Sequence, residues 1–137
     1  MNIDLARLMR STVRRGALLR AGASPNAAMV DGSTALIVSA ECGNHKVVAE
    51  LLGSGAECDH VMRDGATALT VASQSGFVPT VSLLLAHGAD PNRVLSGDGA
   101  SAAFLAAQNG FQRTLACLLR NGADPSTARH DGVGPLM

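Results

Sequence analysis

The sequence predicts an all-α protein built from repeated helix–turn–helix units that are joined by short β-hairpin-like loops. Three observations predict this fold. An Asp-Gly pair recurs at intervals of 33, 34 and 33 residues, a Gly-Ala pair recurs with a similar period, and two apolar segments of helical length lie between these markers. Such self-similarity is typical of proteins whose units stack on one another. We therefore expect a single repeat domain over residues 1–137.

The two markers divide the chain into units. The Asp-Gly pairs begin at Asp31, Asp64, Asp98 and Asp131, and the Gly-Ala pairs begin at Gly22, Gly55, Gly88 and Gly122. We expect full units over residues 31–63, 64–97 and 98–130, a partial capping unit over 1–30 and a truncated unit over 131–137. The extra residue in the second interval falls in the loop 94–97, where an insertion costs little because loop-closure entropy grows slowly with length.

The unit that begins at Asp64 illustrates how the helices are predicted. Its Asp-Gly pair favours a turn, because glycine adopts positive φ without strain. The segment Ala68–Ser75 predicts a short first helix, and Gly76 is a typical residue to end it. A second helix is predicted over Pro79–Ala86, since proline in the first turn costs no hydrogen bond and three consecutive leucines give a broad apolar face.

The core is expected to consist of small aliphatic side chains. Hydrophobic residues make up 47% of the chain but aromatic residues only 2%, and the chain has no Trp and no Tyr. One helix pair of this size cannot bury its own apolar face, so neighbouring units must stack to form a continuous core. Small residues such as Ala72, Ala106 and Ala107 are expected to let the helices approach closely.

This pattern resembles the ankyrin repeat. The resemblance rests on DG-x-T-A-L in two units, on the short Ala-rich helix, and on the G-x-x-x-[VT]-[VL]-x-x-LL and G-A-[DE] motifs; it covers residues 13–137. It implies an ankyrin-type, right-curving solenoid. The family usually has Thr-Pro-Leu-His at the start of the first helix, whereas the corresponding segments here begin at Thr34, Thr67 and Ser101 and lack the histidine. We therefore expect weaker hydrogen bonding between units and lower stability than in a consensus array.

The resemblance implies a module that binds a protein partner in the concave groove formed by the hairpins and the first helices. Positions that differ between the units are then the candidate contacts. At the hairpins these are Val30, Ser33, Arg63, Ala66, Ser96, Ala100, His130 and Val133. Near the ends of the first helices they are Glu41, Cys42, Gln74, Ser75, Gln108 and Asn109. An ordinary solvated surface is the alternative interpretation of each residue.

Two other function classes stay open: a passive structural spacer within a larger protein, and a Cys/His-based enzyme or metal site. The spacing of Cys42, His45, Cys58 and His60 loosely matches zinc ligation. A predicted helix of about ten residues separates the two pairs by roughly 15 Å, however, which is too far for one ion to bridge. The chain also lacks paired carboxylates and a phosphate-binding glycine loop, so we expect no catalysis, no metal, no cofactor and no small-molecule substrate.

Two asparagines are candidate modification sites. Asn26 and Asn92 occupy the hairpin asparagine position of the family, and each has a leucine eight residues upstream, Leu18 and Leu84. Similar asparagines in ankyrin proteins are substrates of a cytosolic asparaginyl hydroxylase, so the resemblance implies hydroxylation of Asn92 and Asn26. The alternative is that each asparagine only forms hydrogen bonds within its loop.

Charge and cysteine usage suggest the partner class and the compartment. The chain has 11 basic and 11 acidic residues, so no overall field favours nucleic acid or an anionic membrane. It has no run of 18 apolar residues, so we expect no membrane insertion. Three widely spaced cysteines do not form a secreted disulfide framework, which favours the cytoplasm or the nucleus. The Arg-rich first 20 residues are interpreted as part of the capping unit, with a mitochondrial presequence as the alternative.

The last unit stops where a new first helix would begin. We therefore expect the chain to be a fragment or an isoform of a longer array, with the exposed face of the 98–130 unit prone to self-association.

Overall fold

A computed structural model of the chain contains three stacked helix pairs in the part that it describes, which comprises Asn26 and residues 32–97 and 99–124. The first unit contains α1 (Ala35–Glu41) and α2 (His45–Gly53), the second contains α3 (Ala68–Ser75) and α4 (Val78–Ala86), and the third contains α5 (Ala102–Gln108) and α6 (Gln112–Arg120). The expected all-α repeat fold is confirmed. Of the two helices predicted in the second unit, α3 has the predicted bounds and α4 begins one residue earlier.

The helix pairs pack side by side in chain order. First helices contact one another along the series α1, α3 and α5, and second helices contact one another along α2, α4 and α6. The core between them is continuous and contains five leucines that are at most 1% exposed: Leu36, Leu51, Leu69, Leu84 and Leu118. Because each pair buries its apolar side chains partly against the next pair, no unit contains a complete core of its own.

A hydroxyl group caps each first helix at the start of the segment in which the family usually has Thr-Pro-Leu-His. Thr34, Thr67 and Ser101 are the N-cap residues, and their side chains accept hydrogen bonds from backbone N–H groups of the first turn. In α3, Thr70 takes the place of the family's histidine, and its Oγ1 accepts a hydrogen bond of 2.8 Å from the backbone N–H of Thr67. This reciprocal capping box satisfies two backbone donors within the unit.

A phenyl ring closes each of the two junctions between units at the turn that joins the paired helices. Gly43 and Gly76 have positive φ angles of 72° and 75°. A Cβ atom added to Gly43 would lie 2.8 Å from the Phe77 ring, and one added to Gly76 would lie 2.6 Å from the Phe111 ring. Each ring therefore occupies a notch that only glycine leaves open, and this contact links the turn of one unit to the next.

The ring-in-notch contact predicts different effects for two otherwise similar glycine substitutions. Gly76 and Gly110 share a φ of 75°, but no heavy atom of the described residues lies within 4 Å of a Cβ built on Gly110. We expect Gly76→Ala to lower the free energy of unfolding by about 1–3 kcal/mol more than Gly110→Ala, because it also displaces the Phe111 ring. Urea denaturation of both variants measures this difference, and equal losses would contradict the contact.

Two buried threonines predict a stabilising substitution. Thr80 and Thr114 are 0% and 1% exposed, and neither hydroxyl has a hydrogen-bond partner in the described part of the chain. A buried hydroxyl without a partner costs about 1–3 kcal/mol, and Val47 occupies the corresponding position of the first unit. We expect Thr80→Val to raise the free energy of unfolding by about 1 kcal/mol in thermal denaturation. Thr80→Ser, which keeps the hydroxyl and loses the methyl group, should lower it; destabilisation by valine would refute this interpretation.

Candidate functional site

Three of the candidate hairpin contacts are buried within the stack. Ser33, Ala66 and Ala100 are 0%, 5% and 0% exposed. Each directly precedes the N-cap residue of a first helix, so the chain has already entered the stack at these positions. We withdraw these residues as contact candidates, because their side chains offer a partner almost no surface. Val30, His130 and Val133 lie outside the described residues.

The candidates at the ends of the first helices are all exposed. We call them the helix-end row, which consists of Glu41, Cys42, Gln74, Ser75, Gln108 and Asn109. Because successive first helices contact one another, this row runs across all three units. The side chain of Asn109 donates a hydrogen bond of 2.8 Å to the backbone carbonyl of Gln74, which ties the third unit to the second along the row.

The hairpin tips, which are the loop segments around Arg63 and Ser96, lie at the opposite end of the first helices from the helix-end row. Arg63 and Ser96 are exposed there, and the backbone N–H of Ser96 donates a 2.9 Å hydrogen bond to the carbonyl of Asp64. A Cβ on Gly65 would lie 2.7 Å from the Ser96 nitrogen, so the two tips pack closely. A first helix of seven or eight residues separates the tips from the helix-end row by about 10 Å.

The middle of each first helix contributes little exposed surface. In α1, α3 and α5, every residue before the last two positions is buried or half-buried. These helices lie between neighbours, so most of their side chains pack in the core. The exposed polar groups are concentrated at the hairpin tips and in the helix-end row.

The cysteine and histidine pairs occupy separate structural positions. Cys42 caps the end of α1 and His45 begins α2, whereas Cys58 and His60 follow the end of α2. The Sγ of Cys58 donates to the carbonyl of His87 at 3.4 Å, and the Nε2 of His60 lies 2.8 Å from the carbonyl oxygen of Gly32. Burial, together with the nearby Asp59 carboxylate, raises the pKa of the Cys58 thiol. In the described part of the chain, no group of three or more His, Cys, Asp or Glu side chains is placed to hold a metal ion.

The two candidate hydroxylation sites bridge neighbouring units. Asn92 donates from Nδ2 to the carbonyl of Gly122 at 3.2 Å and accepts at Oδ1 from the N–H of Asp124 at 2.8 Å. Asn26 makes the same pair of bonds with the Gly55 carbonyl and the Glu57 N–H, at 3.1 and 2.8 Å.

In the repeat, Asp59 occupies the position of the intervening unit that corresponds to Asn26 and Asn92. Its carboxylate accepts from the N–H of Asp90 at 3.0 and 3.3 Å and lies 3.8 Å from the Nε of Arg93. A carboxylate cannot donate as the Nδ2 groups of the asparagines do, so this bridge differs from the other two.

A comparison with protein families identifies the repeats. A model described as ankyrin repeats, three copies, matches residues 13–95. The chain belongs to the ankyrin-repeat family. Ankyrin repeats are generally protein–protein interaction modules and are typically non-enzymatic, and no curated protein matches this chain. The family match ends before the third unit of the ankyrin domain, where α5 and α6 form the same kind of helix pair. None of the helices in the described region combines the length and apolar character that a bilayer crossing requires.

Proposed function

We propose that this ankyrin domain is an adaptor whose protein partner contacts the helix-end row and the hairpin tips. The observation that carries this proposal is the exposure of polar side chains at the same end of three successive first helices. The core fixes the spacing of these helices, so the backbone positions from which these side chains extend are set before a partner arrives. Such preorganisation reduces the conformational entropy that binding would otherwise cost.

The composition of this surface suggests modest affinity. The helix-end row and the exposed hairpin residues Arg63 and Ser96 include no aromatic side chain and one arginine. Aromatic residues and arginine supply most binding hot spots at protein interfaces. We therefore infer an interface in which many weak polar contacts contribute, with Arg63 as the strongest single candidate.

Paired charge reversals test the proposed surface against the spacer alternative. Arg63→Glu with Gln74→Glu changes one hairpin tip and one row residue. Arg120→Glu with Ser82→Glu makes the same total charge change at exposed positions on the second helices. Partners are captured by chemical cross-linking in cells and quantified by mass spectrometry for the wild type and both variants. We expect the first variant to lose partners that the second retains.

The same captured proteins with both variants would contradict the proposed surface. A spacer that only separates neighbouring domains predicts this result, because neither substitution changes its length.

We also propose that Asn92 is hydroxylated, with Asn26 as a second site. The exposure of both side chains supports this proposal, although each is engaged in two hydrogen bonds. Peptide mass spectrometry of the protein purified from cells at normal oxygen is expected to detect the mass of one added oxygen atom on Asn92. Asn92→Gln serves as the control, and an unmodified Asn92 would end the proposal.

We further propose that the ankyrin domain acts without catalysis, without a cofactor and in a reducing compartment, the cytoplasm or the nucleus. Burial and the Asp59 carboxylate disfavour the thiolate of Cys58, which is the nucleophilic form of a cysteine. The three cysteines are free thiols, as such a compartment would maintain them.

A further inference from the structure

A cavity of about 490 Å³ lies where the turns of the second and third units meet. Its lining includes Phe77, Phe111 and the exposed residue Pro79. Because the Phe111 ring is held in the notch above Gly76, one aromatic wall is fixed by the stacking of the units. The cavity is therefore preformed, and its volume lies in the range of common ligand pockets.

The first junction lacks this arrangement of two rings. Asn44 takes the place of the ring in the first unit, and its Oδ1 accepts a 3.3 Å hydrogen bond from the N–H of Val47 at the start of α2. The turn of the third unit thus supplies an aromatic residue, Phe111, next to Phe77, whereas the turn of the first unit supplies Asn44. Phe77 and Phe111 both line the cavity between the second and third turns, although the Phe77 ring itself packs on Gly43 of the first unit.

The surroundings of the cavity favour a negatively charged occupant. Arg113 is the charged residue in its lining, and it is exposed. The four helices of the second and third units contain no Asp or Glu at all. A carboxylate placed beside Arg113 would meet a guanidinium group and no carboxylate from these helices.

The beginning of α6 adds to this preference. This nine-residue helix has no side-chain cap at Phe111, and its first turn carries Arg113 rather than an acidic residue. A cation at the positive end of a helix is electrostatically unfavourable, and an anion there relieves this. The adjacent cavity-lining residue Thr114 is 1% exposed, and its hydroxyl has no hydrogen-bond partner in the described part of the chain.

We propose that this turn cavity binds a peptide segment in which an apolar residue stands next to an aspartate or a glutamate. The apolar side chain enters the cavity beside Phe111 and Pro79, and the carboxylate pairs with Arg113 at the start of α6. A peptide is favoured over a free small molecule because the cavity continues the helix-end row: Ser75 directly precedes Gly76, and Asn109 directly precedes Gly110. The inference rests on the proposed function, since it gives the chemistry of the partner segment at this end of the surface.

Selection from a phage-displayed library of random peptides tests the inference without a known partner. Peptides that bind the wild-type chain are sequenced, synthesised with a fluorescent label and titrated by fluorescence anisotropy. We expect enrichment of an apolar residue beside Asp or Glu. Arg113→Glu, and replacement of the peptide's Asp or Glu by Asn or Gln, should each weaken binding about tenfold.

Arg120→Glu is the matched control, because it makes the same charge change at the other end of the same helix. It should leave peptide binding unchanged. An acidic residue in the first turn favours a helix, so Arg113→Glu should not lower the melting temperature. If the Arg113→Glu protein is stably folded and does not bind the peptide, the loss is due to the changed charge at the cavity and not to unfolding. Phe111→Leu should also weaken peptide binding, by removing an aromatic ring without changing the charge.

Several outcomes overturn the inference. These are selection of peptides without acidic residues, no enrichment of any peptide, and equal peptide binding by the wild type and Arg113→Glu. The proposed function fails separately. If cross-linked partners are lost with Arg63→Glu and Gln74→Glu but kept with Arg113→Glu, the adaptor stands and the turn cavity does not contribute to it.

Discussion

The burial of each helix pair against its neighbour is the constraint on which the rest of the structure depends. Leu69 and Leu84 of the second unit belong to a core that extends through all three described helix pairs. The short first helices cannot be stable on their own, because helices of fewer than about 12 residues are marginal in water. The phenyl rings in the glycine notches and the asparagine bridges add directional contacts to this burial, and they fix where the exposed ends of the first helices lie.

Much of the fold could be predicted because repetition makes local signals mutually consistent. The recurring glycines set the helix ends, and they set the bounds of α3 correctly. The start of α4 differed by one residue, because Val78 forms the first helical position and Pro79 the second. The phenyl rings at the junctions could not be predicted from the repeat, because the corresponding residue in the first unit is Asn44 and the contact joins residues of two different units.

The candidate surface was harder to predict than the fold. Variation between units marks residues outside the common helical framework, and such residues include both exposed side chains and small side chains that fill gaps. Ser33 and Ala66 belong to the second kind, whereas Arg63 and Gln74 belong to the first. Sequence alone does not separate them, because burial there depends on how closely successive hairpins pack. The recurring Gly-Phe pairs at Gly76 and Gly110 were the sequence signal for the turn cavity, but the repeat alone does not show that residues of two units line one cavity.

The central claim is that the units are stable only together, and native-state hydrogen exchange of a Leu84→Val variant tests it most directly. Leu84 is fully buried in α4, and the loss of one methylene group should cost about 1 kcal/mol without unfolding the chain. The account predicts faster amide exchange in α2 and α6, which pack against α4, as well as in α3 and α4. Faster exchange confined to α3 and α4, with α2 and α6 unchanged, would contradict it.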